Sequence, residues 1–244
     1  MKKLLILSTQ RSGSTMVCND IASTGVLGQP NEYFIKPIEL WHTSKNKAET
    51  IEAINNISLK SASGNGVQAI KIMSNQIAPI GTILNTINLA TGISNLECFF
   101  DYFSEYIVVR VSRNDKVAQA VSRIMAENTG IYHYLDPTKS SLKLGRSSSR
   151  ERNESGIEYS HDLIQKNINN IVNEERLIQH YLETYSITPF NIIYENSVVS
   201  RSYINDIAKC LEVPPISVFA DRAIKKVGGA ISESWIKRFN QEKL

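Results

Sequence analysis

The stretch "LLILSTQRSGSTMVC", residues 4 to 18, constrains the fold more than any other part of the chain. Its apolar start, Leu4 to Leu7, has the length and composition of a buried strand. The polar residues that follow lead directly into an amphipathic segment over 16–24 that predicts a helix. The stretch therefore predicts a strand, a loop and a helix N-terminus in immediate succession.

The loop in this stretch has the composition of an anion site. It consists of Gln10, Arg11, Ser12, Gly13, Ser14 and Thr15. Gly13 permits close approach of the backbone, the loop N–H groups and the helix N-terminus favour an anion, and Arg11 adds a permanent charge. The loop is not a Walker A motif, because the Gly-Lys-Ser/Thr ending is absent. The alternative is an ordinary polar turn in which Ser12 caps the helix.

Three further β-rich runs alternate with helical patterns along the chain. The runs are 67–73, 106–113 and 191–195, and helices are predicted after Asn114 or Asp115 as far as Gly130, over about 162–184 and over about 202–211. This order predicts an α/β fold with a central, mostly parallel sheet flanked by helices. With 42% apolar residues, 1–244 is expected to form a single domain.

The segment 136–155 is polar, Ser-rich and basic, and it offers almost nothing to bury. This composition predicts a mobile loop. A solvated insertion is the simpler interpretation, and a lid over a site is the alternative.

Charge and cysteine usage exclude several classes of partner. The formal net charge is +3 and no Lys/Arg run exceeds two residues, which argues against nucleic acid or a membrane surface and for a small anionic ligand. Three cysteines without metal-ligand spacing predict reduced thiols in the cytoplasm and no metal site. The sequence contains no apolar stretch of about 18 residues, the length that would predict a membrane span.

Polar residues at the other strand ends are expected near the first loop, because ligands bind beyond the carboxyl ends of parallel strands. Arg113 ends the third run, and Ser122 follows in the next helix. If that helix packs across the first loop, the two would hold a second phosphate; the alternative is a surface arginine and a helix-facing serine. Tyr194 and Glu195 end the fourth run. The pair Lys225 and Lys226, next to two glycines, would form a flexible anion clamp, and the alternative is an ordinary pair of surface lysines.

Read together, these segments resemble the PAPS-dependent sulfotransferases, most closely the bacterial trehalose sulfotransferase-like family, which has a P-loop NTPase-like fold. The matching stretches are "STQRSGSTMVCNDIASTGVLGQPNEYF" at 8–34, "VSRNDKVAQAVSRIMAENTGIYH" at 111–133, "IIYEN" at 192–196 and "SESWIKRF" at 232–239. The resemblance thus samples the chain from end to end.

The resemblance implies roles in binding 3′-phosphoadenosine-5′-phosphosulfate (PAPS), the sulfuryl donor whose product is 3′,5′-adenosine bisphosphate (PAP). Residues 10 to 15 would hold the 5′-phosphosulfate, with Arg11 beside the leaving group. Arg113 and Ser122 would hold the 3′-phosphate, Tyr194 would lie near the adenine, and Lys225 or Lys226 would close over the 3′-phosphate.

The resemblance also implies catalytic and substrate residues. Lys71 would approach the sulfuryl group, and Lys71 and Arg11 would both act in catalysis by supplying positive charge. Glu32 of "QPNEYF" would act as the base, because Met73 stands where many relatives carry a histidine. Tyr33, Phe34 and His133 would contact the acceptor. Relatives form dimers, so the resemblance allows a homodimer, which the sequence itself does not show.

The expected activity is transfer of a sulfuryl group to a hydroxyl of a carbohydrate, glycolipid or other small molecule. One alternative is a nucleotide-binding or interaction protein without turnover. A second is an ATP-dependent phosphotransferase, which would need a metal-binding carboxylate and a Walker-type lysine that the sequence does not offer.

Overall fold

The structure is a computed structural model that describes residues 2–90, 92, 94–135, 147–148, 156–217, 221–222, 224–225 and 228–242. Within these ranges the chain alternates between strands and helices. The strands are β1 (Lys3–Ser8), β2 (Gln68–Met73), β3 (Ile107–Ser112), β4 (His133–Leu135), β5 (Ser147–Ser148), β6 (Phe190–Ile193) and β7 (Ile224–Lys225).

The helices differ widely in length, from six residues to 24. They are α1 (Ser14–Ser23), α2 (Ile35–Thr43), α3 (Lys47–Ser61), α4 (Ile77–Thr86), α5 (Asn95–Tyr102), α6 (Lys116–Thr129), α7 (His161–Thr184), α8 (Tyr194–Val199), α9 (Tyr203–Cys210) and α10 (Ala230–Glu242). A short 3₁₀ turn over Ser74–Gln76 joins β2 to α4.

The central sheet has four strands in the order β2-β1-β3-β6, and every neighbouring pair is parallel. All four strands therefore end at the same edge. Because the pleat alternates, Leu5 and Leu7 of β1 enter the core on one face, and Leu4 and Ile6 enter the core on the other. The prediction of an α/β fold with a parallel sheet flanked by helices is confirmed.

A buried carboxylate ties α1 to the C-terminal third of the chain. Asp20 is 1% exposed and accepts hydrogen bonds from Arg222 Nη2 at 2.7 Å and from the Tyr203 hydroxyl. Arg201 lies 3.7 Å from the same carboxylate. Arg222 also donates to the carbonyl oxygens of Ser197 and Val198, so one cluster joins α1, α8 and α9.

The predicted elements are present with shifts at their ends. The helix after β3 begins at Lys116, and its N-cap is Asp115, whose side chain accepts from Ala118 N. It ends at Thr129, and Gly130 is its C-cap. The fourth run is wrong at its end, because Tyr194 and Glu195 begin α8 and do not continue β6. There the Glu195 carboxylate accepts the backbone N–H groups of Asn114 and Asp115, which holds the chain in a helical turn.

A smaller sheet carries part of the segment predicted to be mobile. Ser147 and Ser148 form β5, which pairs in parallel with β4, while β7 pairs with β4 on the other side in the antiparallel sense. The rest of 136–155 lies outside the described residues. None of the described helices is long and apolar enough to cross a membrane.

Candidate functional site

A cavity of about 810 Å³ opens at the edge where the parallel strands end. Residues at or just beyond the end of each of the four strands line it: Gln10 and Arg11 after β1, Lys71 and Met73 in β2, Arg113 after β3 and Tyr194 after β6. The convergence expected from the parallel order is therefore present. Helices α1, α2, α6 and α10 supply other parts of the wall, together with the segment before α2, the 3₁₀ turn after β2 and the residues next to α6 and α10.

The loop after β1 is wound tightly around the start of α1. Arg11 has φ of 62° and Gly13 has φ of 88°, both in the left-handed region. Gly13 is the N-cap residue of α1, and no side chain makes a capping hydrogen bond there. The alternative in which Ser12 caps the helix is therefore wrong. A Cβ atom at Gly13 would lie 2.2 Å from Tyr194 Cδ2, so the glycine is required by the close approach of that ring.

The buried side chain of Gln119 in α6 holds this loop in place, and the sequence did not reveal that role. It is fully buried, and its amide nitrogen donates to Thr9 Oγ1 at 2.9 Å and to the Gln10 carbonyl oxygen at 2.8 Å. In the sequence Gln119 lies among the apolar residues of a helix, where nothing distinguishes it from a surface glutamine.

Four buried side-chain atoms around the loop have no hydrogen-bond partner among the described residues. They are Gln10 Oε1, Ser12 Oγ, Arg113 Nε and Gln119 Oε1. Unpaired buried polar atoms are costly, and their clustering in one place indicates a ligand that satisfies them. Of the four, only the atoms of Gln10 and Arg113 belong to residues that line the cavity, and Arg113 Nε can donate to an oxyanion there, which fits a phosphorylated donor.

Arg11 connects the loop to α6. Its Nε donates to Ser122 Oγ at 3.0 Å, and its Nη1 donates to the Tyr132 carbonyl oxygen. The residues predicted for the two phosphates of the donor are thus in direct contact with each other. The structure thus brings Arg11 and Ser122 together, and the Arg11 guanidinium lies against α6.

Arg113 and Tyr194 also line the cavity and contact each other. The Arg113 guanidinium lies 4.8 Å from the centre of the Tyr194 ring, in cation–π contact. Glu195 beside them is a carboxylate with a lowered pKa: burial raises the pKa, but backbone hydrogen bonds, including those from Asp115 N and Asn114 N, and the charge of Arg113 together outweigh that effect. The hydrogen bonds from Asn114 N and Asp115 N to Glu195 hold the turn after β3, next to Arg113.

The two residues predicted for catalysis beside the loop form an ion pair. Lys71 Nζ lies 2.8 Å from Glu32 Oε1, and the side chains are 5% and 24% exposed. Lys71 Nζ also donates to Thr15 Oγ1 at 3.2 Å, in the first turn of α1. The ammonium therefore lies between the helix N-terminus, which favours an anion, and a carboxylate that faces the cavity.

Glu32 reaches Lys71 because the preceding segment runs along the edge of β2. The Lys71 N–H donates to the Asn31 carbonyl oxygen at 3.0 Å. A Cβ atom at Gly28 would lie 2.6 Å from the Ala69 nitrogen, so the segment lies directly against the strand. The covered edge places Glu32 at the end of β2, level with the loop after β1.

Cys18 lies below the ion pair and is not a nucleophile there. Burial raises the pKa of its thiol to about 12, with Lys71 opposing the effect and Glu32 adding to it. The thiol is therefore neutral near pH 7, and thiolate chemistry is not available to it.

Two of the residues predicted to contact the acceptor instead anchor the Glu32 segment. The Tyr33 hydroxyl lies 2.7 Å from the Gln29 carbonyl oxygen and 2.8 Å from that of Lys60, and burial raises its pKa to about 12. Phe34 is 1% exposed and packs edge-on against Phe103 in the core. Neither side chain lines the cavity, so both support the Glu32 segment from behind the cavity wall.

The remaining predicted residues are only partly described. His133 lies in β4 and Lys225 in β7, and the structure describes only their backbone, while Lys226 lies outside the described residues. Gly228 follows and lines the cavity. In the described part of the chain, no group of three or more His, Cys, Asp or Glu residues could hold a metal ion.

The four-strand parallel sheet flanked by helices, with a cavity where its strands end, is consistent with a sulfotransferase fold. The Stf0 sulphotransferase family model matches residues 3–242, nearly the whole chain. The chain belongs to the Stf0 sulphotransferase family. Among curated proteins, none matches it significantly.

Proposed function

We propose that this sulfotransferase moves a sulfuryl group from PAPS to a hydroxyl of a carbohydrate, glycolipid or other small polar acceptor. The observation that carries the proposal is that the loop after β1, which is predicted to bind an anion, and the Lys71–Glu32 ion pair line one cavity. The donor supplies the sulfuryl group and leaves as PAP.

The donor residues are proposed as follows. The backbone of the loop after β1 and the side chains of Ser14 and Thr15 would hold the 5′-phosphosulfate. Arg113 and Ser122 would hold the 3′-phosphate, with Tyr194 against the adenine and Lys225 or Lys226 over the 3′-phosphate. Arg11, in contact with Ser122, would supply charge between the two phosphates.

The catalytic roles rest on the ion pair. Lys71, between Thr15 and Glu32, would neutralise charge that develops on the sulfuryl oxygens. Glu32 would hold the acceptor hydroxyl and accept its proton. His133 is retained as a proposed acceptor contact because it is in β4, next to the wall formed by Tyr132.

The wall outside the phosphate-binding elements supports a polar acceptor. Its side chains include the carboxylates Glu39 and Glu233 and the amides of Asn31 and Asn75. Carboxylates and amides hydrogen-bond to hydroxyl groups, so this wall suits a polyhydroxylated molecule better than a flat apolar one. The three free cysteines agree with the reducing cytoplasm as the proposed location.

The proposed function is tested first by calorimetric binding of PAP to the wild type and to Arg11→Ala. Radiolabelled PAPS is then offered with a panel of sugars, glycolipids and phenols. We expect PAP binding that weakens in Arg11→Ala, and label transfer to a sugar. Failure of the wild type to bind PAP would contradict the proposal, and binding without transfer to any acceptor would favour a nucleotide-binding protein.

A further inference from the structure

Gln76 makes a direct contact with the Glu32 carboxylate. Its Nε2 donates to Glu32 Oε2 at 3.0 Å, while Lys71 Nζ lies 2.8 Å from the other oxygen, Oε1. The two carboxylate oxygens thus have different partners, a neutral amide on one and an ammonium on the other. This arrangement fixes the rotation of the carboxylate about its last bond.

The orientation of the Gln76 amide is itself determined by the fold. Gln76 is 8% exposed, and its Oε1 accepts the Met73 N–H at 3.0 Å. Because the oxygen is bound to a backbone donor at the end of β2, the NH₂ group must point toward Glu32.

The turn that carries Gln76 is attached to the helices on the donor side. Ser74 Oγ donates to Glu174 Oε2 at 3.1 Å, and Glu174 Oε1 pairs with Arg123 Nη1 at 2.9 Å. Arg123 directly follows Ser122 in α6. The amide is therefore fixed relative to the helix that carries Ser122.

We propose that Gln76 is a positioning residue for the reaction, which holds the Glu32 carboxylate in the orientation that accepts the proton of the acceptor hydroxyl. The inference rests on the proposed function of Glu32 as the base. Lys71 alone would leave the carboxylate free to rotate about its bond to the ammonium, and the amide removes that freedom. A small misplacement of a reacting group costs about 100-fold in rate.

The discriminating variant is Gln76→Glu, because it separates the two hydrogen bonds of the side chain. A glutamate at this position keeps an oxygen for the Met73 N–H but has no N–H to donate to Glu32. Gln76→Leu removes both bonds. Gln68→Glu is the matched control, since Gln68 is also buried in β2 but its amide donates to the Ser58 carbonyl oxygen, away from the cavity.

PAP release from PAPS is followed with trehalose, with methyl glucoside and with water as acceptor. For Gln76→Glu and Gln76→Leu we expect kcat to fall about 10- to 100-fold with the KM for PAPS within about twofold, and no such fall for Gln68→Glu. In the Glu32→Gln background, Gln76→Leu should change the remaining rate by less than about twofold, since the group it positions is gone.

Two results would overturn the inference and leave the proposed function intact. One is a wild-type kcat in Gln76→Glu. The other is a fall in rate on adding Gln76→Leu to Glu32→Gln that is as large as the fall Gln76→Leu causes alone. PAP binding to each variant, measured by calorimetry, shows that the variant is folded. Absence of PAP binding in the wild type would instead remove the proposed function, and with it the reaction that Gln76 is inferred to serve.

Discussion

The Lys71 ammonium lies 2.8 Å from the Glu32 carboxylate, at the end of β2 and next to the first turn of α1. The lysine side chain is 5% exposed, and the carboxylate is partly open to the cavity. A buried ammonium held between a helix N-terminus and a carboxylate is arranged to act on an anion at that helix. The pair thus lies between the part of the cavity proposed to bind the donor and the part proposed to receive the acceptor.

Replacing Lys71 with methionine keeps the apolar stem and removes the charge. We expect kcat for sulfuryl transfer to fall about 100-fold or more, because charge stabilisation in a buried site is lost. PAP affinity should change far less, since PAP lacks the sulfuryl group. Steady-state kinetics with PAPS and calorimetry with PAP measure the two effects, and Lys47→Met on the exposed start of α3 is the control. Equal losses in both measurements would contradict the assignment.

Gly13→Ala tests the contact between the loop and Tyr194. The added Cβ would lie 2.2 Å from the ring, in a residue with φ of 88°. Left-handed strain alone costs about 1–3 kcal/mol, and the clash adds displacement of the ring. We expect a lower free energy of unfolding in urea and at least about 10-fold weaker PAP binding.

Gly25→Ala is the matched control for this prediction. Gly25 has φ of 70°, and nothing lies within 4 Å of an added Cβ. Gly25→Ala should therefore lower the free energy of unfolding through backbone strain but leave the PAP affinity unchanged. Normal PAP binding by Gly13→Ala would show that Tyr194 does not need its observed position.

Most of the parallel sheet could be predicted because a buried strand of a parallel sheet is apolar on both faces, as Leu4 to Leu7 are. The helices α2 to α5 were not predicted. In α3, for example, only Thr50, Ile54, Ile57 and Ser61 are buried, and polar residues fill the rest, so the periodic signal is weak. Their packing is determined by tertiary contacts that local patterns do not report.

For the site, the loop after β1 could be predicted from composition, while Glu32 and Lys71 needed the family resemblance. The Glu32–Lys71 ion pair forms because the segment before Glu32 lies along β2, and this contact joins residues about 40 positions apart in the sequence. Gln76 and Gln119 act through hydrogen bonds made by buried amides, and a single glutamine carries no signal in the sequence. Tyr33 and Phe34 were expected at the acceptor because they adjoin Glu32, but their side chains point into the structure that supports it.

The pKa of Glu195 predicts how stability depends on pH. Its folded-state pKa is below its ordinary value of 4.5, so the contribution to stability is present above that pH and is lost as pH falls through the folded pKa. Glu195→Gln should therefore have a lower melting temperature than the wild type at about pH 7, and the difference should shrink at about pH 3. A difference that is constant with pH would contradict the role of the ionised carboxylate.

The Asp20 cluster is predicted to stabilise the fold. Asp20→Asn removes the charge that neutralises Arg222 in a buried setting and should lower the free energy of unfolding by about 3 kcal/mol. Asp162→Asn, whose side chain is fully exposed, should change it by less than about 1 kcal/mol. Urea unfolding followed by fluorescence compares the two variants, and equal effects would argue against the cluster.

The most direct test of the central claim is transfer of labelled sulfate from PAPS by the wild type and by Glu32→Gln. The glutamine keeps the size of the side chain and removes its capacity to accept a proton. We predict that the wild type transfers label to a sugar hydroxyl, and that Glu32→Gln binds PAP with wild-type affinity but transfers at least about 100-fold more slowly. Transfer at the wild-type rate by Glu32→Gln would contradict the account.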